Sequence, residues 1–243
     1  MMEQMNVLEH LSDLRKRIII TLGFFMISLI VCFLYVDHIY HFLAIRSGEK
    51  LAILGPTDIL AIYMKLSGVG AIALTIPVAA YQVWRFVVPA LTSHERRVTM
   101  MYIPILFLLF IAGISFSYFV LFPMMYTFVL GLSQGNFNLV ITANDYFSFM
   151  IRLTVPFGIL FELPLIVLFL THLGILNPHR LAKIRKPAYF VLCVISIVIT
   201  PPDFVSDIVV IIPLIFLYEI SVGLSKIIYR KRKVEESDSS LLA

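Results

Sequence analysis

Six long apolar runs are the feature that most limits how this chain can fold. They cover about residues 18–36, 61–84, 98–125, 147–172, 187–200 and 205–224. A helix needs about 20 apolar residues to cross roughly 30 Å of hydrocarbon. Since lipid offers no partner for open backbone groups, spans of this composition must be helices. The sequence therefore predicts an all-α integral membrane protein with six transmembrane helices.

The basic residues lie almost entirely in every other gap between these runs. Fifteen of the 19 Lys and Arg residues fall in the N-terminal segment, the second gap, the fourth gap and the C-terminal segment. The other gaps contain only Arg46 and Lys50. Positive residues stay on the cytoplasmic side, so both termini are predicted to be cytoplasmic, as an even number of spans also requires. The net charge of +4 reflects this topology, and no nucleic-acid partner is expected.

The chain is predicted to form one polytopic membrane domain over residues 1–233. Apolar residues at three- and four-residue steps before the first span predict an amphipathic helix at the cytoplasmic interface. Residues 234–243 combine acidic residues with serines and are predicted to be a disordered cytoplasmic tail. Cys32 and Cys193 lie in apolar runs without metal-ligand spacing, so they are interpreted as packing residues. No metal or cofactor is expected.

Prolines interrupt most of the predicted spans, and each removes a backbone donor and tends to bend its helix. The positions are Pro77, Pro104, Pro123, Pro156, Pro164 and Pro213. The prediction is that bent helices form a concave wall, although membrane helices also tolerate proline without such a role. The last two spans are short, since the fifth run has only about 14 residues, or roughly 21 Å at 1.5 Å per residue. Local thinning or tilting of the bilayer is expected there.

Glu162 is the most costly residue within the predicted spans. It lies near the middle of the fourth run, where a carboxylate costs at least about 2.5 kcal/mol. It is expected to face a polar cavity; the alternative is a neutral carboxyl bonded to backbone groups freed by Pro164. Lys65 and Arg152 lie near the outer ends of their spans, where long side chains extend their charges to the interface.

Two carboxylates lie among basic residues at the predicted cytoplasmic surface. Asp13 precedes the first span beside Arg15 and Arg17, and Glu95 precedes the third span. Such carboxylates accept bidentate hydrogen bonds from the guanidinium groups of a ligand. The alternatives are structural, because Thr92 and Glu95 fit a capping box and Asp13 fits an ion pair with Arg17.

Motifs of several common enzyme classes do not occur in the sequence. There is no G-x-x-x-x-G-K-[ST] segment to bind phosphates, no pair of zinc-protease histidines and no G-x-S-x-G nucleophile turn. The sequence therefore gives no indication of nucleotide-driven or hydrolytic chemistry.

Several short motifs follow one another along nearly the whole chain. They are His10-Leu-Ser-Asp13-Leu-Arg15-Lys-Arg17, Tyr81-Gln82-Val83-Trp84-Arg85-Phe86-Val-Val-Pro89-Ala90-Leu91, His94-Glu95-Arg96-Arg97, Tyr118-Phe-Val-Leu-Phe122-Pro123, Phe157-Gly-Ile-Leu-Phe161-Glu162-Leu-Pro164, Lys186-Pro187 and Thr200-Pro201-Pro202-Asp203. In these motifs the chain resembles the TatC family, the large membrane subunit of the twin-arginine protein translocase. The run from Tyr81 to Arg97 is highly specific.

The resemblance implies a receptor and translocase core, and not an enzyme. Family members bind signal peptides that carry a paired-arginine motif at their cytoplasmic face. They assemble with small single-span Tat subunits of the TatA type, with a TatB type left open, and self-association is expected. They pass folded proteins outward across the cytoplasmic membrane, driven by the protonmotive force.

The resemblance also implies roles for matching residues. Glu95 matches the family's main carboxylate for the twin arginines, and Asp13 stands where the family usually has a Glu. Glu162 matches the polar residue of the concave membrane face, and Pro202 and Asp203 belong to the extracytoplasmic Pro-Pro-Asp turn. The remaining residues of the implied signal-peptide site are Arg15, Arg17, Trp84, Phe86 and Pro89.

Two other classes of protein stay open from the residues themselves. A secondary transporter would use Glu162 as a proton relay. Flux of small solutes into liposomes that contain the protein would identify this class. A scaffold would recruit other membrane proteins without moving a substrate, and loss of export with assembly partners retained would argue against it. Internal repeats, which are typical of many transporters, are not evident.

Overall fold

The computed structural model describes the backbone of residues 2–45, 51–88, 96, 99–132, 140–200 and 203–241, and the side chains of those between 11 and 230. Within these residues the fold is helical, apart from one isolated bridge between Ala52 and Thr142. The helices are α1 (Met2–Leu34), α2 (Val36–Ala44), α3 (Pro56–Val87), α4 (Tyr102–Phe116), a π-helical turn (Ser117–Leu121), α5 (Phe122–Leu132), α6 (Ala143–Leu160), α7 (Leu163–His172), α8 (Pro178–Lys183), α9 (Arg185–Ile199) and α10 (Phe204–Leu241).

Five stretches of the described chain are long and apolar enough to cross a membrane. They are Leu11–Leu34, Pro56–Val87, Tyr102–Leu132, Ala143–His172 and Phe204–Arg230. Each contains most of one predicted run, so the all-α membrane architecture is confirmed. The remaining run corresponds to α9, which has 15 residues and a length of about 22 Å. That length is below the roughly 30 Å of a bilayer core, and the sixth span stays a prediction.

Several helix boundaries differ from those predicted. The expected interfacial helix and the first span form one uninterrupted helix, α1, and α2 was not predicted at all. The backbone of α10 is helical through Leu241, so it includes most of the segment 234–243 that was predicted to be disordered. Helix growth is cooperative, so an apolar helix extends readily into the segment that follows it.

The chain divides into two compact units. The first unit contains Met1–Phe107 and Ser133–Ile151, and the second unit contains Leu108–Leu132 and Arg152–Ala243. Because the third and fourth spans each cross from one unit to the other, the division does not follow helix boundaries.

Close packing of α1 against α3 organises the first unit. A Cβ added at Gly70 of α3 would lie 2.9 Å from the Sγ atom of Cys32 on α1. The absence of a side chain therefore lets the two helices approach. Tyr40 of α2 and Phe147 of α6 add an aromatic contact with ring centroids 5.2 Å apart. Cys32 is buried here, which fits the predicted packing role.

Two prolines set the shape of the helices in the second unit. The π-helical turn Ser117–Leu121 ends two residues before Pro123, whose missing N–H removes one helical hydrogen bond. Pro164 lies in the first turn of α7, and the backbone makes a turn at Phe161 and Glu162 between α6 and α7. The fourth span is therefore two helices rather than one bent helix.

Glycines let α4 approach this broken span. A Cβ at Gly113 would lie 2.8 Å from both the carbonyl oxygen of Phe157 and the Cβ of Phe161. At Gly158 it would lie 2.7 Å from the ring of Phe110. These distances are shorter than any real carbon contact, so neither position accepts a side chain without movement of its neighbours.

We predict that Gly113→Ala destabilises the protein, by about 1–3 kcal/mol, because backbone and ring atoms must shift to admit the methyl group. Gly223→Ala is the matched control, because nothing lies within 4 Å of a Cβ at Gly223 in α10. The control is expected to gain roughly 0.5–1 kcal/mol from the lower conformational entropy of the unfolded chain. Unfolding of both purified variants in detergent measures the difference, and equal stability would contradict the packing described for Gly113.

Candidate functional site

Asp13 and Arg17 form an ion pair one turn apart on α1. The Arg17 Nε and Nη2 atoms donate to the same carboxylate oxygen of Asp13, Oδ2, at 3.0 and 2.7 Å. The Asp13 side chain is 41% exposed and that of Arg17 is 13% exposed. The other oxygen of Asp13, Oδ1, is not used by Arg17. The ion pair considered as an alternative is thus present, and the Asp13 side chain stays partly exposed; Arg15, two residues further on, is exposed.

Trp84 lies at the end of α3 and is buried rather than presented at the surface. Its indole Nε1–H donates to the Oγ1 atom of Thr99 at 3.0 Å. Tyr81 stacks on it with ring centroids 5.9 Å apart and an angle of 28° between the rings. These contacts connect the end of α3 to the residues that precede α4. Phe86, two residues further on, is partly exposed.

The other two predicted members of this surface, Pro89 and Glu95, lie outside the described residues. Their segment is nevertheless bounded on both sides by described residues, because α3 ends at Val87 and Thr99 is bonded to Trp84. The role of Glu95 stays a prediction.

Glu162 lies at the junction of α6 and α7. Its side chain is only 6% exposed, and neither of its carboxyl oxygens has a hydrogen-bond partner among the described residues. The bond to freed backbone groups that was considered as an alternative is absent there. Burying a carboxyl group without a hydrogen-bond partner lowers the stability of the fold by at least about 1–3 kcal/mol. The stability of the described helices therefore gives no reason for a carboxyl group at position 162.

Lys65 is bonded within the protein. Its Nζ atom donates to the Oδ1 atom of Asn144 at 2.6 Å and to the Oγ atom of Ser148 at 2.8 Å. Asn144 and Ser148 are one turn apart on α6, so one ammonium group connects α3 to α6. Arg152, the other basic residue predicted to extend to the interface, is exposed.

Asp203 has a clear local role in the turn before α10. Its Oδ1 atom accepts the backbone N–H of Ser206 at 2.7 Å, which satisfies one of the open donors at the start of a helix. Asp207 of the same helix accepts a hydrogen bond from the Thr200 hydroxyl. Pro202, the neighbouring predicted residue, lies outside the described residues.

A second carboxylate in a span, Glu219 of α10, was missed by the sequence reasoning. It accepts from the Arg185 guanidinium at 2.9 Å and from the Tyr189 hydroxyl at 2.5 Å. Glu219 is as unusual in an apolar run as Glu162, and that composition was the available signal. Its partners precede it by 34 and 30 residues, and such a separation has no local sequence pattern.

The described residues contain no cluster of three or more His, Cys, Asp or Glu side chains able to hold a metal ion. The candidate residues are charged side chains at one end of α1 and α3 in the first unit and, separately, one buried carboxyl group in the second unit. The described helices define the chain as a polytopic helical membrane protein.

Comparison with known proteins gives the family. A model described as Sec-independent protein translocase protein (TatC) matches residues 9–213. The chain is 58% identical over 235 residues to the Sec-independent protein translocase protein TatCd of Bacillus subtilis (strain 168), covering 97% of each chain. It is 47% identical over 232 residues to TatCy of the same organism, covering 94% of this chain and 91% of the relative.

The structural comparison agrees. A crystal structure described as Twin Arginine Translocase Receptor- TatC has a TM-score of 0.79 and 35% identity, and the match covers 90% of this chain and 99% of that one. The chain belongs to the TatC family and is a membrane subunit of the Sec-independent protein translocase, not an enzyme. Membership of a protein translocase family argues against the two alternative classes considered from the sequence, a small-solute transporter and a scaffold.

We predict that the Trp84–Thr99 hydrogen bond stabilises the junction between α3 and the third span. Thr99→Val should cost about 1–3 kcal/mol, because the buried indole N–H loses its acceptor. Adding Trp84→Phe should recover part of that cost, since both polar partners are then gone. A double-mutant cycle of unfolding free energies in detergent measures the coupling, with the exposed Thr127→Val as control. Strictly additive effects would contradict the bond.

Proposed function

We propose that this chain is the receptor and core subunit of the twin-arginine translocase. It binds paired-arginine signal peptides at its cytoplasmic surface. With small single-span subunits of the TatA type, and of a TatB type where one exists, it exports folded proteins using the protonmotive force. The observation that carries the proposal is the exposed Asp13 carboxylate with a free oxygen, in a chain 35% identical to a solved twin-arginine translocase receptor.

The paired arginines are read by two carboxylates in this proposal. Glu95 is the main acceptor, and Asp13 is the second, with its free Oδ1 atom directed at a ligand guanidinium. Arginine presents a planar fork that binds a carboxylate through two parallel hydrogen bonds, whereas lysine presents a point charge. A site made from carboxylates therefore distinguishes a paired-arginine signal from a paired-lysine signal by geometry as well as charge.

The neighbouring residues shape this surface. Arg17 orients Asp13 through its two hydrogen bonds, and Arg15 lies beside it. Trp84 acts through position, because its bond to Thr99 holds one end of the segment that contains Glu95. Phe86 and Pro89 flank the contact between the signal peptide and the two carboxylates. Arg15 and Arg17 disfavour signal peptides that do not present arginines to Asp13 and Glu95.

Glu162 is assigned to a later step than signal recognition. Its unpartnered carboxyl group is the polar site of a concave wall of bent helices, and the apolar stretch of the bound signal peptide lies near it. A polar group that enters from the signal peptide or from a small Tat subunit would remove the cost of burying this carboxyl. The protein also contacts lipid and associates with further copies of itself.

The proposed topology has six spans with both termini in the cytoplasm, and α9 is the fifth span. Its length of about 22 Å thins or tilts the bilayer locally. The Pro202–Asp203 turn then lies on the extracytoplasmic side, where Asp203 caps α10. A thin wall of this kind suits the passage of a folded cargo.

Charge reversal at Glu95 is predicted to abolish recognition. Glu95→Lys should weaken binding of an Arg-Arg signal peptide by at least about tenfold, because a charge-assisted hydrogen bond contributes roughly 1.5–3 kcal/mol. Glu235→Lys makes the same charge change outside the proposed surface and should have no effect. Binding of a labelled Arg-Arg signal peptide to membranes that contain each variant provides the readout, and a Lys-Lys signal should bind weakly even to the unaltered protein. Intact recognition and export by Glu95→Lys would remove the assignment.

Glu162→Ala is predicted to separate binding from transport. The variant should bind signal peptide as the unaltered protein does, because the proposed receptor surface is built from other residues. Export should fall, since the proposed polar contact within the membrane is lost. Peptide binding and export of a reporter are measured on the same membranes. Undiminished export would show that Glu162 has only a structural role.

The topology is predicted to place both termini on the same side. Single cysteines introduced at Ser240 and at residue 47 in the gap after the first span should react differently with a membrane-impermeant maleimide added outside intact cells. Residue 47 should be labelled and Ser240 should be protected until the membrane is opened. Labelling of Ser240 in intact cells would show that α9 does not cross.

A further inference from the structure

An apolar groove runs between α1 and α3 in the first unit. Its volume is about 610 Å³, and its ends are formed by Leu14 with Phe86 and by Phe25 with Ile72. Eleven residues of α1 separate Leu14 from Phe25, which is about 16 Å of helix. This length is close to half of the roughly 30 Å hydrocarbon core, so the groove is as long as one leaflet is deep.

The walls of the groove are mostly apolar, and the polar side chains in the lining are those of Arg17, Thr21, Thr75 and Gln82. Thr21 and Thr75 line it, but each hydroxyl donates to the backbone of its own helix, at 2.9 Å to the carbonyl oxygen of Arg17 and at 2.7 Å to that of Ala71. These hydroxyls therefore present methyl groups rather than free donors. An extended apolar chain fits such a surface.

Charge is confined to one end. The residues around the Leu14–Phe86 end include four basic side chains and one acidic one. They are Arg15, Lys16, Arg17, Arg85 and Asp13. Arg17 itself lines the groove, and Asp13 is already paired with it. The segments around the other end, 21–25 and 72–76, contain no charged residue.

We propose that this groove binds an anionic phospholipid, with one acyl chain along α1 and α3 and the phosphate at the basic end. The length matches one leaflet, and the excess positive charge complements the headgroup. A signal peptide is the competing occupant, but its paired arginines would bind the carboxylates of the proposed receptor surface, whereas a phosphate would bind the basic side chains at this end. The site shares Arg17 and Phe86 with the proposed receptor surface, but it does not depend on that function.

Two adjacent alanines provide a matched pair of variants. Ala79 lines the groove, whereas Ala80 is equally classed as partly exposed and lies outside it. Native mass spectrometry of the full chain in detergent measures retained phosphatidylglycerol and phosphatidylcholine. The unaltered protein and Ala80→Trp should retain phosphatidylglycerol at least about tenfold better than phosphatidylcholine, and Ala79→Trp should lose this lipid. Equal retention of the two lipids, or full retention by Ala79→Trp, would overturn the proposal.

The headgroup contact is tested separately with Lys16→Gln combined with Arg85→Gln. This change should lower phosphatidylglycerol retention several-fold and leave the weak retention of phosphatidylcholine unchanged. An unaltered preference for phosphatidylglycerol would show that the basic end does not bind the phosphate.

A measurement on the unaltered chain avoids any effect of the substitutions on folding. Phosphatidylglycerol with a photoreactive acyl chain should form adducts within residues 14–25 and 72–86. Adducts found only on other apolar surfaces would exclude the groove. A signal peptide with the same photoreactive group in its apolar stretch is the comparison, and adducts of the peptide there in the presence of phosphatidylglycerol would assign the groove to the peptide. Peptide crosslinking at position 95 reports the receptor function independently.

Discussion

The need to satisfy every backbone polar group inside hydrocarbon governs this structure. Lipid supplies no donors or acceptors, so long apolar segments form helices. Two departures from regular helix lie next to prolines: the π-helical turn precedes Pro123, and the fourth span breaks before Pro164. The break at Pro164 also places Glu162 at a helix junction. The position of the Glu162 carboxyl group therefore follows from the need to satisfy backbone polar groups inside the membrane.

The charged groups Lys65, Glu219 and Glu162 in the described spans differ in whether they have partners. Lys65 is bonded to α6, and Glu219 is bonded to Arg185 and Tyr189. These contacts offset the cost of placing charge in an apolar setting. Both oxygens of Glu162 lack any such contact within the described chain. The contrast is the physical reason to assign Glu162 a partner from outside the chain and to treat the other two as structural.

The surface side chains of the candidate site were predictable as residue types but not as neighbours. Asp13 and Arg17 are four residues apart, so their ion pair follows from helical spacing alone. The burial of Trp84 did not follow, because its partner Thr99 lies across the segment that contains Glu95. The Glu219 pair was not predictable for the same reason, since no periodicity connects residues in different helices.

The sequence by itself determined the helical class, the approximate limits of five spans and the family, because hydrophobic length and motif order are local properties of the chain. Tertiary structure decided which polar groups are satisfied and where helices approach, as at Gly70 and Gly113. It also showed that α1 is continuous and that an apolar groove with one basic end lies between α1 and α3. These features depend on distances between segments far apart in the chain, and such distances are set only when the helices pack.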